Sequence, residues 1–307
     1  MGTTLYKNAD WIITMNEKRE KIRHGDLLIS GKEILDVGTD LEKKYQGTLK
    51  IDDVVEAEGT VILPGFVNVH HHTWQSLIRN IQATRGLKLE PWLTVMYEIY
   101  KDLNTDVARA GVYSGLGDML KTGCTTSNDL WYPHPVGVKY LVDAEIEAAA
   151  EIGIRFHPTR GFHSVPSSIV PPEVVDTKES VVEDTIRLVK KYHDRSRFSM
   201  CQVGIAPSIA QYETEDIIEA VVDLAEEYDI MVHGHLAESQ HEVEYTLKTW
   251  GCRPFEWFKR HRLLGKRFYF AHCIHLNEEE IAQMAETGTG VAHCPNSNML
   301  LSSGACP

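Results

Sequence analysis

The sequence predicts an α/β protein in which strands and helices alternate around a parallel sheet, preceded by a small antiparallel β region. Three observations carry that prediction. Residues 1–60 hold short apolar or alternating pieces cut by Gly25, Gly31, Gly38 and Gly59, the pattern of small strands joined by tight turns. From Val61 onward the rhythm changes to apolar strand followed by amphipathic helix, several times over. Such repeats imply a parallel sheet, either open or closed into a barrel. The residues that carry chemistry, above all histidines, recur just behind the apolar runs. An α/β barrel predicts this, because its site gathers at the C-terminal ends of the strands.

In chain order, the first region offers strand pieces at 5–15, 26–28, 34–37 and 54–56. The second offers strands at 61–69, 125–130, 155–159, 199–206, 230–236, 267–272 and 290–294. Helical patterns lie between them at 105–122, 138–152, 180–192, 214–227, 240–249 and 277–287. The run Val61-Ile62-Leu63-Pro64-Gly65-Phe66-Val67 reads as one buried strand, with Pro64 near its start where a missing N–H is tolerated. Thr214 before Glu215, and Asn277 before Glu278, Glu279 and Glu280, mark helix starts with acid at the N-terminus. The expected division is residues 1–60 as a small β portion and 61–307 as the barrel. About seven barrel strands are present, whereas a closed barrel of this type needs eight. Neither GxGxxG after the first strand nor GxxxxGK[ST] occurs, so dinucleotide and P-loop readings lose support.

Composition narrows the function classes. The chain of 307 residues has a formal charge of −13, which argues against a general nucleic-acid or anionic-membrane binder, because phosphate contacts need clustered Lys and Arg. It does not exclude a small nucleobase-like ligand. The six cysteines are scattered without a CxxC pair and read as reduced thiols. The start, MGTTLYKNADWIITM, lacks the apolar core of a signal peptide. No apolar run approaches the ~20 residues that span a bilayer. A cytoplasmic location is expected.

The strongest chemical signal is His70-His71-His72 behind the strand at 61–69. Side chains on a strand alternate, so His70 and His72 share a face and can clamp one metal ion, while His71 points away. A second pair, His233 and His235, ends another strand, with Glu238 three residues on. A catalytic zinc usually has three protein ligands and an open position for water, whose pKa it lowers, and a carboxylate nearby can then carry the proton. A lone histidine would more simply be a core residue, and Glu238 could be no more than a helix N-terminal acid. The pairing of two strand-end clusters favours ligands. His272 ends the apolar run 267–272, and His293 follows Gly290-Val291-Ala292. Gln75, Trp92, Trp131, Tyr132, Arg160 and His163 fall on expected loops beside the site, where rings stack on planar heterocycles and Gln and Arg bond their edges. Arg160 follows 155–159, so its guanidinium can reach the site mouth. The alternative is that it pairs with a carboxylate such as Asp129.

The wording Pro64-Gly65-Phe66-Val67-Asn68-Val69-His70-His71-His72, then His233-Gly234-His235-Leu236-Ala237-Glu238, then Ala271-His272-Cys273, then His293-Cys294-Pro295-Asn296-Ser297-Asn298 resembles the amidohydrolase superfamily. Within it the chain is similar to the aminohydrolase branch that holds 8-oxoguanine deaminase, isoxanthopterin deaminase and hydroxyatrazine hydrolase. The resemblance implies a (β/α)8 TIM-like barrel with a small β-sandwich domain. It implies His70, His72 and His235 as metal ligands, Glu238 as proton shuttle and His272 beside the attacked carbon. Gln75 and Arg160 match positions that hold the substrate. Trp92 and His293 are further substrate-binding candidates from their place in the sequence, and His293 could equally be structural. One divalent metal is expected, zinc ahead of iron. The implied reaction is hydrolytic deamination of a planar N-heterocycle, an oxopurine or pterin, by a metal-activated water that attacks an amidine-like carbon and releases ammonia. The alternatives are a hydroxytriazine or chlorotriazine aminohydrolase and a truncated relative that only binds. The expected partner is a small heterocyclic substrate, with no nucleic acid or membrane, and a homo-oligomer for the full-length protein. The family's strand-eight aspartate ligand has no counterpart among these residues, so either a fragment of a longer protein or a truncated gene product is expected.

Overall fold

The computed structural model describes residues 2–307. The chain divides into two compact units, Met1–Phe66 with Ser196–Phe198, and Val67–Arg195 with Ser199–Pro307.

The first unit holds β1 (Thr3–Ile13), β2 (Lys21–Ser30), β3 (Glu33–Gly38), a short α1 (Leu41–Tyr45), β4 (Asp53–Glu56) and β5 (Val61–Ile62). β1, β2 and β3 form an antiparallel meander, and β4 and β5 pair parallel to β1. The register of β1 against β2 slips between Tyr6 and Ala9, and the buried Asp26 fills the resulting gap in bonding. Its carboxylate accepts from Asn8 N at 2.8 Å and from Leu41 N at 2.9 Å. Two small apolar clusters result, Leu5 with Leu28 and Leu41, and Ala9 with Ile12 and Ala57.

The single strand expected at 61–69 divides. Val61–Ile62 joins the first sheet, and Phe66–Asn68, here β6, opens the second. Pro64, between them, has no N–H to give a ladder. His70 and His72 therefore lie past the last strand residue rather than on it.

The second unit continues through α2 (Leu89–Tyr100), α3 (Thr105–Lys121), β7 (Cys124–Trp131), α4 (Leu141–Ile152), β8 (Arg155–Phe162) and α5 (Lys178–Tyr192). It goes on with β9 (Gly204–Pro207), α6 (Glu215–Tyr228), β10 (Val232–Leu236), α7 (Gln240–Trp250) and α8 (Pro254–Arg260). β11 (Phe268–His272), α9 (Glu278–Thr287), β12 (Gly290–Ala292) and α10 (Pro295–Leu300) complete it. Strands β6 to β12 form one sheet in chain order, with β7 to β12 paired parallel. This is an incomplete (β/α)8 barrel of seven strands among the described residues. Continuously buried runs such as Val232–Leu236 suit a parallel sheet covered on both faces. Asn277 forms a capping box with Glu280, and Thr214 sits at the N-cap of α6. Gly234 is required by its neighbour strand: a Cβ there would lie 2.4 Å from Pro207 O. One continuous apolar core runs through this unit, from Trp74 to Met284. No helix among the described residues is long and apolar enough to cross a membrane.

Candidate active site

A cavity of about 1020 Å³ opens where the barrel strands end. His70, His72, His235, Glu238, His272 and His293 line it, and so do Gln75, Trp92, Tyr132 and His163. Residues 160 or more positions apart meet here because β6 and β10 end on the same side of the sheet.

The backbone decides which imidazole nitrogens are free. His72 Nδ1 lies 2.7 Å from Leu130 O, and His235 Nδ1 lies 2.7 Å from Ser208 O. A carbonyl oxygen only accepts, so each Nδ1 carries the proton and each Nε2 of a neutral ring is a bare lone pair. His233 Nδ1 donates in the same way to Tyr269 O at 2.9 Å, leaving its Nε2 to accept from His70 Nδ1 at 2.7 Å. His70 Nε2 is therefore bare as well. Burial keeps the rings neutral: His72 and His233 are pushed down to about 3, and His70 and His235 fall well below the usual range. The Nε2 atoms of His72 and His235 face each other at 3.3 Å, and the ligand nitrogens of His70, His72 and His235 all lie within 4.8 Å of one another. Converging lone pairs repel unless a cation sits among them. Three neutral imidazoles with their far nitrogens tied to acceptors fit a divalent metal such as zinc. His70, His272 and Cys294 form a second close group, but burial pushes the Cys294 thiol up to about 11, which makes it the poorer donor.

Glu238 lines the same cavity. Burial raises its pKa, against the pull of His272. His272 Nδ1 donates to Asn298 Oδ1 at 2.7 Å, and His272 Nε2 lies 3.5 Å from Glu238 Oε1. A buried carboxyl whose pKa is raised, set next to an imidazole nitrogen, can take up and return a proton. The turn that presents it is constrained. Glu238 N donates to Glu242 Oε2 at 2.9 Å, and Ala237, His272 and Cys273 adopt positive φ angles of 48°, 70° and 54°. Strained non-glycine residues of this kind cost about 1–3 kcal/mol each and gather at functional sites.

The other expected residues divide. Gln75 donates from Nε2 to Tyr100 Oη at 3.0 Å, leaving one N–H and its carbonyl for a ligand. Trp92 lines the cavity from helix α2, not from a loop. Trp131 lies fully buried, its Nε1 donating to Pro133 O. Arg160 is a correction. It is 2% exposed, does not line the cavity, and gives its guanidinium to Asp176 at 2.8 Å and Asp184 at 2.9 Å. Its partners are those two aspartates, not Asp129. Asp129 instead accepts from Thr73 N.

The amidohydrolase family model matches residues 61–307. This chain belongs to the amidohydrolase family. It is 35% identical over 255 residues to 8-oxoguanine deaminase of Pseudomonas aeruginosa, covering 82% of this chain and 57% of that protein. It is 30% identical over 305 residues to hydroxydechloroatrazine ethylaminohydrolase of Pseudomonas sp. (strain ADP), covering 96% and 63%. The chain thus spans less than two thirds of the length of these relatives. Among solved structures it resembles a variant of the atrazine chlorohydrolase of Arthrobacter aurescens TC1 complexed with zinc and atraton. That match has a TM-score of 0.90 and 25% identity, and covers 99% of this chain and 68% of the other.

Sequence reasoning missed three parts of this amidohydrolase site. His233 sets the tautomer of His70, Asn298 sets that of His272, and Tyr97 lines the cavity with its hydroxyl against His163 Nε2. Asn298 lies within the wording His293–Asn298 and could have been found there. The partner of His233 depends on strand pairing and could not.

Proposed function

We propose that this chain carries the site of a metal-dependent hydrolytic deaminase acting on a planar N-heterocycle, an oxopurine or pterin such as 8-oxoguanine or isoxanthopterin. The single observation that carries the reading is the convergence of three bare imidazole nitrogens beside a raised, buried carboxyl. His70, His72 and His235 would hold one divalent metal. When bound, it would supply Lewis acidity and bring the pKa of water toward neutrality. Glu238 takes one proton of the attacking water and delivers it to the ring nitrogen. It then takes the second from the hydroxyl formed by the attack and delivers it to the leaving amine; the C–N bond breaks, the carbonyl forms and ammonia departs. His272 Nε2, next to Glu238 Oε1, faces the carbon under attack. Gln75 bonds the edge of the ring, and Trp92 and Tyr132 offer aromatic faces. The relationship to 8-oxoguanine deaminase supports the substrate class.

A second reading, removal of an alkylamine from a hydroxytriazine, is favoured by the outer cavity wall. Ile81, Leu87, Leu89 and Leu93 line it and suit an alkyl substituent rather than a polar ring edge.

The test measures zinc content and ammonia or amine release from 8-oxoguanine, isoxanthopterin and a hydroxytriazine, using the full chain and a His70→Ala, His72→Ala double variant. We expect about one zinc per chain in the parent, consistent with three ligands, and loss of that zinc in the variant. A variant that keeps its metal would sink the ligand assignment. A zinc-loaded parent that turns over only the triazine would move the substrate to the second reading.

A further inference from the structure

We propose that Asp129, braced by Glu145 through Thr73, is a positioning residue that fixes the direction of His72. This inference rests on the reading of His72 as a metal ligand.

The segment from His70 to Thr73 lies beyond Asn68, the last residue of β6, so no strand ladder holds it. Two residues of β7 hold it instead. Leu130 N donates to His71 O at 2.8 Å, and Leu130 O accepts from His72 Nδ1 at 2.7 Å. Asp129 Oδ1 accepts from Thr73 N at 2.5 Å. Three consecutive residues are thus clasped by Asp129 and Leu130, with the ligand in the middle. The clasp is itself anchored, because Thr159 Oγ1 on β8 donates to Asp129 O at 2.9 Å.

Glu145 closes the arrangement from α4. Thr73 Oγ1 donates to Glu145 Oε1, and the carboxyls of Asp129 and Glu145 are hydrogen-bond neighbours. All three residues are 0% exposed. No Lys or Arg among the described residues forms an ion pair with either acid, and Asp129 Oδ2 and Glu145 Oε2 have no other partner. Two carboxylates in a dry site do not both ionise. A proton on one of the two carboxyls would let it donate to the other. A pair of hydrophobic side chains would fill this space at less expense in desolvation. What the acids add is direction: Thr73 is fixed at its amide and at its hydroxyl, and the imidazole of the residue before it is held against Leu130. Partners that orient a metal-binding histidine in this way typically account for about 10–100-fold in metal affinity.

The experiment compares zinc affinity, by competition with a chromophoric chelator, and the ligand-field spectrum of the cobalt-substituted protein. The proteins are the full-chain parent, Asp129→Ala, Asp129→Asn and Thr73→Val. Asp129→Ala should lose about 10–100-fold in zinc affinity and shift the cobalt spectrum. Asp129→Asn keeps an acceptor for Thr73 N and gains a donor for Glu145, so it should restore affinity to within about threefold. Thr73→Val keeps the shape and removes the hydroxyl link, and should fall between the two. A zinc-binding parent with unchanged affinity and spectrum in Asp129→Ala would overturn the positioning role. If that variant does not fold, unchanged values in Thr73→Val would do the same. A parent without stoichiometric zinc would overturn the ligand reading, and this inference with it.

Discussion

Two buried polar clusters lie in the second unit, and they are built on opposite terms. Around Arg160, charges alternate and close on one another. Arg160 binds Asp176 and Asp184, Asp184 binds Arg187 at 2.7 Å, and Arg187 reaches Asp143, which also takes Lys191 at 3.1 Å. At the strand ends the reverse holds. Three imidazoles converge with bare nitrogens, Glu238 sits 3.5 Å from His272 Nε2, and Asp129 and Glu145 have no Lys or Arg partner among the described residues. Burial of ionisable groups is common to both regions. What separates them is unmet bonding capacity, which marks a place prepared for something the polypeptide does not itself contain.

The contrast can be broken, or sharpened, by substitution on either side. The largest effect is expected at Glu238. Glu238→Gln keeps shape and removes the proton carrier, so turnover of the full chain should fall by ~10²–10⁴ while zinc content stays at the parent level. Turnover within a few-fold of the parent would remove Glu238 from the chemistry. Arg160→Leu probes the self-satisfied region. It leaves Asp176 and Asp184 without their buried partner, and urea denaturation should show a loss of about 3–5 kcal/mol. Its specificity between an oxopurine and guanine should not change. A selective loss on the oxopurine would return Arg160 to the substrate site.

The smallest effect per step of the measurement is a slope. Burial pushes Glu242 up to about 8 in the folded protein, against about 4.3 for an unperturbed glutamate. Between those values the folded state keeps a proton that the unfolded state releases. Stability is therefore fullest at low pH and is lost as pH rises from about 4 toward about 8, by at most ~1.4 kcal/mol per unit from this group. Glu242→Gln should flatten that part of the stability–pH curve. An identical slope in parent and variant would show that Glu242 is ionised in the fold.

Much of this contrast is legible in the sequence on one side only. The pairs His70 and His72, and His233 and His235, announce themselves by spacing, although only His233 and His235 lie on a strand, and His70 and His72 follow β6 in an extended segment held by β7. The alternation of strand and helix after Val61 announces the barrel in the same way. Arg160 is misread because a strand-end position says nothing of its partners: Asp176 and Asp184 lie 16 and 24 residues further on, in segments without a periodic signature of pairing. Helix α2 is absent from the helices expected from the sequence, although it carries Pro91 in its first turn, where proline is tolerated. The spacing of Leu89, Leu93, Met96, Tyr97 and Tyr100 is helical throughout. The role of His233 is the least legible of all. It depends on the register that sets His233 opposite Tyr269, and register is a property of the folded sheet.

The carbonyls that fix the imidazole tautomers belong to Leu130, Ser208 and Tyr269, near the ends of β7 and β9 and within β11. They come together only when the sheet has assembled, so an unfolded chain offers a metal no comparable set of nitrogens. On the ligand reading, the folded chain then carries a mutual repulsion of lone pairs that capture of a cation relieves. Folding and loading become linked equilibria, in which each tenfold rise of free metal above its dissociation constant adds about 1.4 kcal/mol to the native state. The supply of metal in the surroundings would then govern how long the protein survives proteolysis as well as what share of it is competent to react.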